Sequence, residues 1–366
     1  MKISIIVRIL WSSGAPKIAI NEAIALKQKG HDIDLVFLRR GITWKVYQPL
    51  LSEINYRVIS DGKPSLFSSI YSFITGLFMP DRKGEGRLDY DLLRKLPKIV
   101  SDFNPDKIIC HDEWTGIGGL ITLKKKGIPY EVFLHERLGQ LDVPVLGKFA
   151  EWYRSKVLLN ASRIYSISNK ISYDTYQKMK INTIENPPGF EHLNNPNVRR
   201  RNRIVSISMW DEGRNPFFFI ELEKLLDDFE IVILGNWRTS EFYNKFVKTL
   251  PINSRINVMT NVSENEKGKL IMESKFLVRF GYDEMGPAIG VIESISYGTP
   301  VIINSELGTS DIIKKYNVGY VLDDPDPRIV AKSILGTSTD KYSEMLNNIM
   351  ILQNSWTWQD HAEKLL

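Results

Sequence analysis

A single cysteine, Cys110, stands in 366 residues. That excludes a disulfide framework or a thiolate metal cluster and points to a reducing compartment. No run reaches the ~18 apolar residues that a spanning helix needs. The opening Met-Lys-Ile-Ser-Ile-Ile-Val reads as a strand, too short for the apolar core of a signal peptide. No Gly-x-Gly-x-x-Gly follows that strand; Ser12-Ser13-Gly14 stands there instead, which argues against a dinucleotide-dependent dehydrogenase. Zinc-finger spacing and the aromatic signature of RNA-binding sheets are missing too, so nucleic acid is not an expected partner. Disordered or fibrous composition is also absent: 43% of the residues are apolar and 25% charged, as in a globular chain. The length suits two domains better than one core.

Charge is unevenly shared. Residues 1–200 hold 30 Lys and Arg against 20 Asp and Glu, and the remainder holds 18 against 23. A basic first half suits anionic lipid, a lipid-phosphate acceptor or an ordinary solvated surface, and composition leaves the three open.

Strand-like and helix-like segments alternate, which predicts parallel sheets with helices on both faces. Strand Ile3–Ile9 leads to a helix near Pro16–Lys29 and strand Ile33–Leu38. Strand Lys107–Cys110, a helix near Gly116–Lys126, strand Tyr130–Leu134, a helix near Val145–Asn160 and strand Ile164–Ile167 follow. Glu185-Asn186-Pro187-Pro188-Gly189 and Asn194-Asn195-Pro196-Asn197 then read as an interdomain linker. The alternation restarts with strand Ile204–Ile207, helix Phe217–Leu226 and strand Glu230–Leu234, then strands near Ile256–Val258, Phe276–Arg279 and Val301–Ile303. Trp356–Leu366 reads as a short closing helix. The division expected is 1–190, a linker at 191–203, 204–350, and a terminal helix within 351–366.

The most informative stretch is Glu284 to Pro300. A loop ends in Gly286-Pro287, an apolar run carries one acid, Glu293, and Gly298-Thr299-Pro300 closes it before Val301-Ile302-Ile303. Proline suits the first helical position, where its missing N–H would be unpaired anyway. The free N–H groups and positive dipole end there attract an anion. An acid one to two turns further in can reach a hydroxyl of the same ligand, and a phosphate joined to a sugar fits both.

This stretch resembles the donor-site signature of family-4 retaining glycosyltransferases, in which two glutamates separated by seven residues precede a Gly-x-Pro turn. Glu293, Gly298 and Pro300 match its second half. The first glutamate falls on Met285, with Glu284 one place early. The resemblance extends over nearly the whole chain. Ser13-Gly14-Ala15-Pro16-Lys17 looks like the family's opening loop, with Ser13 replacing the usual glycine. Leu134-His135-Glu136 looks like its histidine near the sugar. Trp210 to Pro216 looks like its basic segment, where Arg214 takes the lysine position and the arginine position falls on Ser208, leaving one cation. Gly235-Asn236-Trp237 and Asn261-Val262-Ser263 resemble base-holding loops, and Ser355-Trp356-Thr357-Trp358 the closing tryptophan helix.

The resemblance implies an α/β chain of GT-B fold, two Rossmann-like domains facing a central cleft, and sugar transfer from a nucleotide-sugar donor to a glycan, lipid-linked or other acceptor with retention. The implied catalytic residues are His135, Arg214 and Glu284. The implied donor-binding residues are Ser13, Gly14, Arg214, Gly235, Val262, Met285, Gly286, Pro287, Ala288, Ile289 and Glu293. Neither a cofactor nor a metal is expected, since cations can replace one. The expected place is the cytoplasm, with contact at the inner membrane face through the basic half. A nucleotide-sugar-binding subunit without transfer and a GT-B epimerase stay open.

Three smaller features complete the reading. His111-Asp112-Glu113 is not expected to bind metal, because adjacent side chains in an extended segment point opposite ways. Asp324-Pro325-Asp326 is expected to cap a helix starting near Pro327. Leu66–Met79, apolar and flanked by Lys63 and Arg82-Lys83, suits either a core helix closed by Pro80 or an interfacial segment.

Overall fold

The computed structural model describes residues 1–41, 44–60, 69, 70, 73, 77, 89–139, 147–193, 198–282 and 284–366. They form two compact units, Met1–Pro187 with His361–Leu366, and Pro188–Asp360.

The first unit is built on β1 (Lys2–Leu10), β2 (Asp32–Arg40), β3 (Tyr56–Ser60), β4 (Lys107–His111), β5 (Tyr130–Leu134), β6 (Ile164–Ser166) and β7 (Ile184–Glu185). The strands lie in the order β3-β2-β1-β4-β5-β6-β7, every adjacent pair parallel. Sheets wound this way are covered on both faces, so the central strands read as near-continuous apolar runs. All residues of β4 and β5 are buried.

The second unit holds β8 (Arg201–Ile207), β9 (Glu230–Leu234), β10 (Ile256–Met259), β11 (Ser274–Arg279), β12 (Val301–Asn304) and β13 (Gly319–Leu322), ordered β10-β9-β8-β11-β12-β13 and again all parallel. Alternate side chains of a strand face opposite ways, so the sheet carries two cores. Ile204, Phe276 and Val278 enter one with Leu222 and Phe246. Val205 and Leu277 enter the other with Val291 and Ile295.

Several expectations shift. Glu185 pairs in β7, Asn186 is buried and its Nδ2 donates to the His361 carbonyl at 3.2 Å. The start of the expected linker is therefore part of the first unit, and Asn194–Asn197 lies outside the described residues. Helix Thr339–Ser355 takes in residues 351–355, and the second unit continues to Asp360. The helix expected to open at Pro287 begins at Ile289 (Ile289–Ser296), because Ala288 takes φ 49°, outside helical geometry. Strands β3, β7 and β13 were not expected. Of Leu66–Met79, the described side chains of Ile70, Phe73 and Leu77 are exposed, so these three are not core. Asp326 does cap helix Pro327–Leu335, accepting from Arg328 N at 2.7 Å. Among the described residues no helix is long and apolar enough to cross a membrane.

Candidate functional site

In a doubly wound sheet, ligands bind outside the carboxyl ends of the strands where the order reverses. In the second unit that point lies between β8 and β11. The loop after β8 is locked to the loop after β9: Ser208 N donates to Leu234 O at 3.1 Å, Trp210 N to Asn236 O at 2.7 Å and Arg238 N to Trp210 O at 2.9 Å. Gly235, at φ 122°, permits this approach, since a Cβ there would overlap the Ser208 carbonyl oxygen. The Trp237 ring packs 5.2 Å from Phe246 and 6.1 Å from Trp210.

Past Trp210, Asp211 caps a short 3-10 turn, Glu212–Arg214, accepting from Arg214 N at 3.1 Å. Its second oxygen takes Arg214 Nη1 at 3.0 Å and lies 3.4 Å from Arg238 Nε. The other Nη of Arg214 is 3.6 Å from Glu284 Oε2. The same oxygen accepts from Arg279 Nη2 at 2.6 Å. Arg279 is the last residue of β11, with only 6% of its side chain exposed, and it also donates to the Phe280 carbonyl. Burial lowers its pKa, Glu284 raises it and Arg214 lowers it again.

The expected single cation is therefore corrected: Arg279 and Arg238 join Arg214, with Asp211 and Glu284 between them. Arg279 escapes a sequence reading because it stands in the apolar run Phe276-Leu277-Val278-Arg279-Phe280. A charge at the end of a buried strand is the signal that could have found it.

Asn304, at the end of β12, fixes the next loop with two bonds to Gly281, 3.0 Å to its N and 2.7 Å to its carbonyl. Met285, Gly286, Pro287 and Ala288 lead from there to the helix start at Ile289. The helix sits close to β8: a Cβ on Gly290 would lie 3.2 Å from that of Ile207. Glu293 is buried, and its Oε1 accepts from Lys267 Nζ at 2.8 Å. Lys267 also bonds Glu264 at 2.7 Å. The helix carrying it, Glu264–Glu273, is capped by Ser263 just after Val262, and Lys267 N donates to Ser263 O at 2.9 Å. Lys267 was not expected.

In the first unit, Ser13 closes the turn after β1, its N–H bonded to Trp11 O at 2.8 Å and its carbonyl accepting from Tyr47 Oη at 2.7 Å. Helix Gly14–Gln28 starts next. His135 follows β5 and is half-buried, with Nε2 2.8 Å from His111 Nδ1. Its ring lies 5.0 Å from that of Phe133. Burial holds its pKa well below the ordinary value, and neighbouring His111 adds to the depression. His111, set aside at the sequence level with its neighbours, is a central contact of the expected histidine. Among the described residues no group of three or more potential ligands is placed to hold a metal.

Residues 194–350 match the family model described as glycosyl transferases group 1. Many solved structures share the architecture, three of them as follows. The HepE protein of Anabaena, in complex with UDP, superposes with a TM-score of 0.75 at 13% identity, covering 100% of this chain and 98% of its own. A glycosyltransferase from Rickettsia africae gives 0.71 at 16%, with 100% and 96% covered. WaaG, a glycosyltransferase involved in lipopolysaccharide biosynthesis, gives 0.67 at 11%, with 99% and 98% covered. The chain has the GT-B fold. Fold and domain match together support the GT-B glycosyltransferase superfamily, and with it glycosyl transfer. No protein with a curated description matches. Of the site positions in this GT-B chain, Arg214, Gly235, Val262 and Glu284–Glu293 lie in the matched segment, whereas Ser13, Gly14 and His135 precede it.

Proposed function

We propose that this protein transfers a sugar from a nucleotide-sugar donor to a glycan, lipid-linked or other hydroxyl acceptor with retention of configuration. The observation that supports this best is the convergence of Arg214 and Arg279 on one carboxylate oxygen at the β8/β11 switch point, followed by a helix start and Glu293. Two guanidiniums in that place suit a diphosphate, which each can grip through paired N–H groups. Glu293 then binds the nucleotide ribose, Gly235 and Val262 line the base, and Met285 to Ile289 bring backbone N–H groups toward phosphate and sugar. In the first unit, the Ser13–Gly14 helix start suits an anion and His135 suits a hydroxyl.

The reaction follows a front-side path. The bond from the anomeric carbon to the diphosphate oxygen breaks as the acceptor oxygen bonds the same face, and the acceptor's proton passes to the departing phosphate oxygen. Arg214 and Arg279 stabilise the charge that collects there, so positioning and electrostatics supply the catalysis. Their positive charge can replace that of a metal ion at the diphosphate. UDP in the HepE complex makes a uridine nucleotide the first donor to try.

Calorimetric titration of UDP, GDP and ADP into the wild type and Glu293→Ala tests the site. Binding of one nucleotide, weakened in the variant, is the expected outcome; no binding by any would remove the donor-site reading. One observation favours a second reading, a nucleotide-sugar-binding subunit without transfer: Glu284, one place early, is bonded to Arg279. Nucleotide binding with neither transfer nor donor hydrolysis would establish that alternative.

A further inference from the structure

Glu22 is fully buried on helix Gly14–Gln28, yet it has no part in the donor chemistry above. Its two carboxylate oxygens each meet a histidine: Oε1 lies 3.2 Å from His111 Nε2 and Oε2 3.2 Å from His361 Nε2. The side chains of all three are completely enclosed. His361 Nδ1 lies 2.8 Å from the Pro187 carbonyl oxygen, and His111 Nδ1 lies 2.8 Å from His135 Nε2. The chain ends at His135, whose Nδ1 is buried without a hydrogen-bond partner among the described residues. Phe133 floors the group, its ring 5.4 Å from that of His111, 5.0 Å from His135 and 5.6 Å from His361.

Donor and acceptor rules order the protons. A carbonyl and a carboxylate only accept, so both nitrogens of His361 must donate, and the ring is an imidazolium paired with the Glu22 carboxylate. His111 Nε2 must donate to the same carboxylate. Protonating His111 as well would enclose a second cation against one carboxylate, which desolvation disfavours. The neutral ring keeps its proton on Nε2 and offers Nδ1 as an acceptor. His135 must then donate from Nε2, which leaves its Nδ1 without a proton.

We propose that Glu22, His111 and His361 are positioning residues that hold His135 in the Nε2–H form, with Nδ1 as a bare acceptor for a ligand hydroxyl. The tautomer of a histidine is set by what its other nitrogen meets; here the setting passes through two further residues and reaches the chain end. The hydroxyl itself rests on the proposed donor reading, whereas the proton order does not. A sugar hydroxyl has a proton to give, so a bare nitrogen accepts it, and a protonated Nδ1 would need an acceptor oxygen instead.

Two-bond proton–nitrogen correlation spectra of the full chain, labelled with nitrogen-15 histidine and assigned with His135→Gln, His111→Gln and His361→Gln, test this near neutral pH. The expected pattern is a doubly protonated His361 ring and the Nε2–H tautomer for both His111 and His135. A His135 ring protonated on Nδ1 would overturn the proposal, and the wild-type spectrum alone decides it. In Glu22→Gln the amide can donate to His111 and reverse the order. The expected result is loss of the imidazolium signature at His361, appearance of the Nδ1–H form at His135, and at least a 10-fold fall in kcat for sugar transfer. UDP affinity measured by calorimetry should stay within 2-fold. An unchanged His135 tautomer in that variant would refute the relay. If UDP, GDP and ADP all fail to bind the wild type, the donor reading falls while the spectrum still judges the proton order.

Discussion

Arg279, enclosed at the end of β11, donates to Glu284 Oε2 at 2.6 Å, and this bond keeps a buried guanidinium neutralised in the free protein. Arg214 approaches the same oxygen at 3.6 Å from a more exposed loop, with 28% of its side chain accessible. The two arginines therefore share a carboxylate while differing in how much they depend on it.

That difference separates stability from activity. Glu284→Ala leaves Arg279 enclosed and unpaired, and the expected cost is about 3 kcal/mol, at the lower end for a broken buried pair. Arg214→Ala should change stability by less than about 1 kcal/mol, as for exposed pairs, but, on the proposed donor reading, slow transfer about 100-fold. Urea denaturation and transfer assays on the two variants check this; equal losses of stability would contradict the assignment.

Gly235→Ala is expected to destabilise the second unit by about 2 kcal/mol or more. The residue sits at φ 122°, where side chains are strained, and the new methyl meets the Ser208 carbonyl. Differential scanning calorimetry should show a lowered transition, with Gly213→Ala, which has more room, as the mild control.

Lys267→Met removes the cation facing the buried Glu293. Losing one partner of this buried ion pair should cost about 3 kcal/mol. Restoring neutrality with Lys267→Met/Glu293→Gln should recover most of it, and a double-mutant cycle by chemical denaturation measures the coupling.

Acid should act through Glu22. Burial pushes its pKa up, but the charges and hydrogen bonds of His111 and His361 outweigh that and bring it down to about 2 from 4.5. A folded-state pKa below the unfolded one means stability that is full above the unfolded value and is lost as pH falls. The window is therefore between pH 4.5 and about 2, worth about 3 kcal/mol by linkage. Urea midpoints measured across that window should fall more steeply for the wild type than for Glu22→Gln.

Much of the molecule was legible beforehand because its signals are local. Alternating apolar runs and turn residues marked ten of the strands, and the Gly298-Thr299-Pro300 stop marked the helix ending at Ser296. β3 and β13 escaped because Tyr56–Ser60 and Gly319–Leu322 are half-buried throughout, without the apolar density of an interior strand, and β7 because it is two exposed residues, Ile184–Glu185. The start at Ile289 rather than Pro287 depended on the backbone of Ala288, which no residue type dictates.

By itself the sequence determined the alternation of strands and helices and the two sheets, and it singled out Arg214, Glu284, Glu293 and His135 as candidates, since each of these readings rests on near neighbours in the chain. Only the tertiary structure decided what those groups meet. Arg279 joins Arg214 through strand order at the β8/β11 switch point, and Lys267 reaches Glu293 across 26 residues of chain. Glu22 collects His111 and His361 from 89 and 339 residues away. Residue type limits which partners a charge or an imidazole accepts, but distance along the chain hides which one packing supplies.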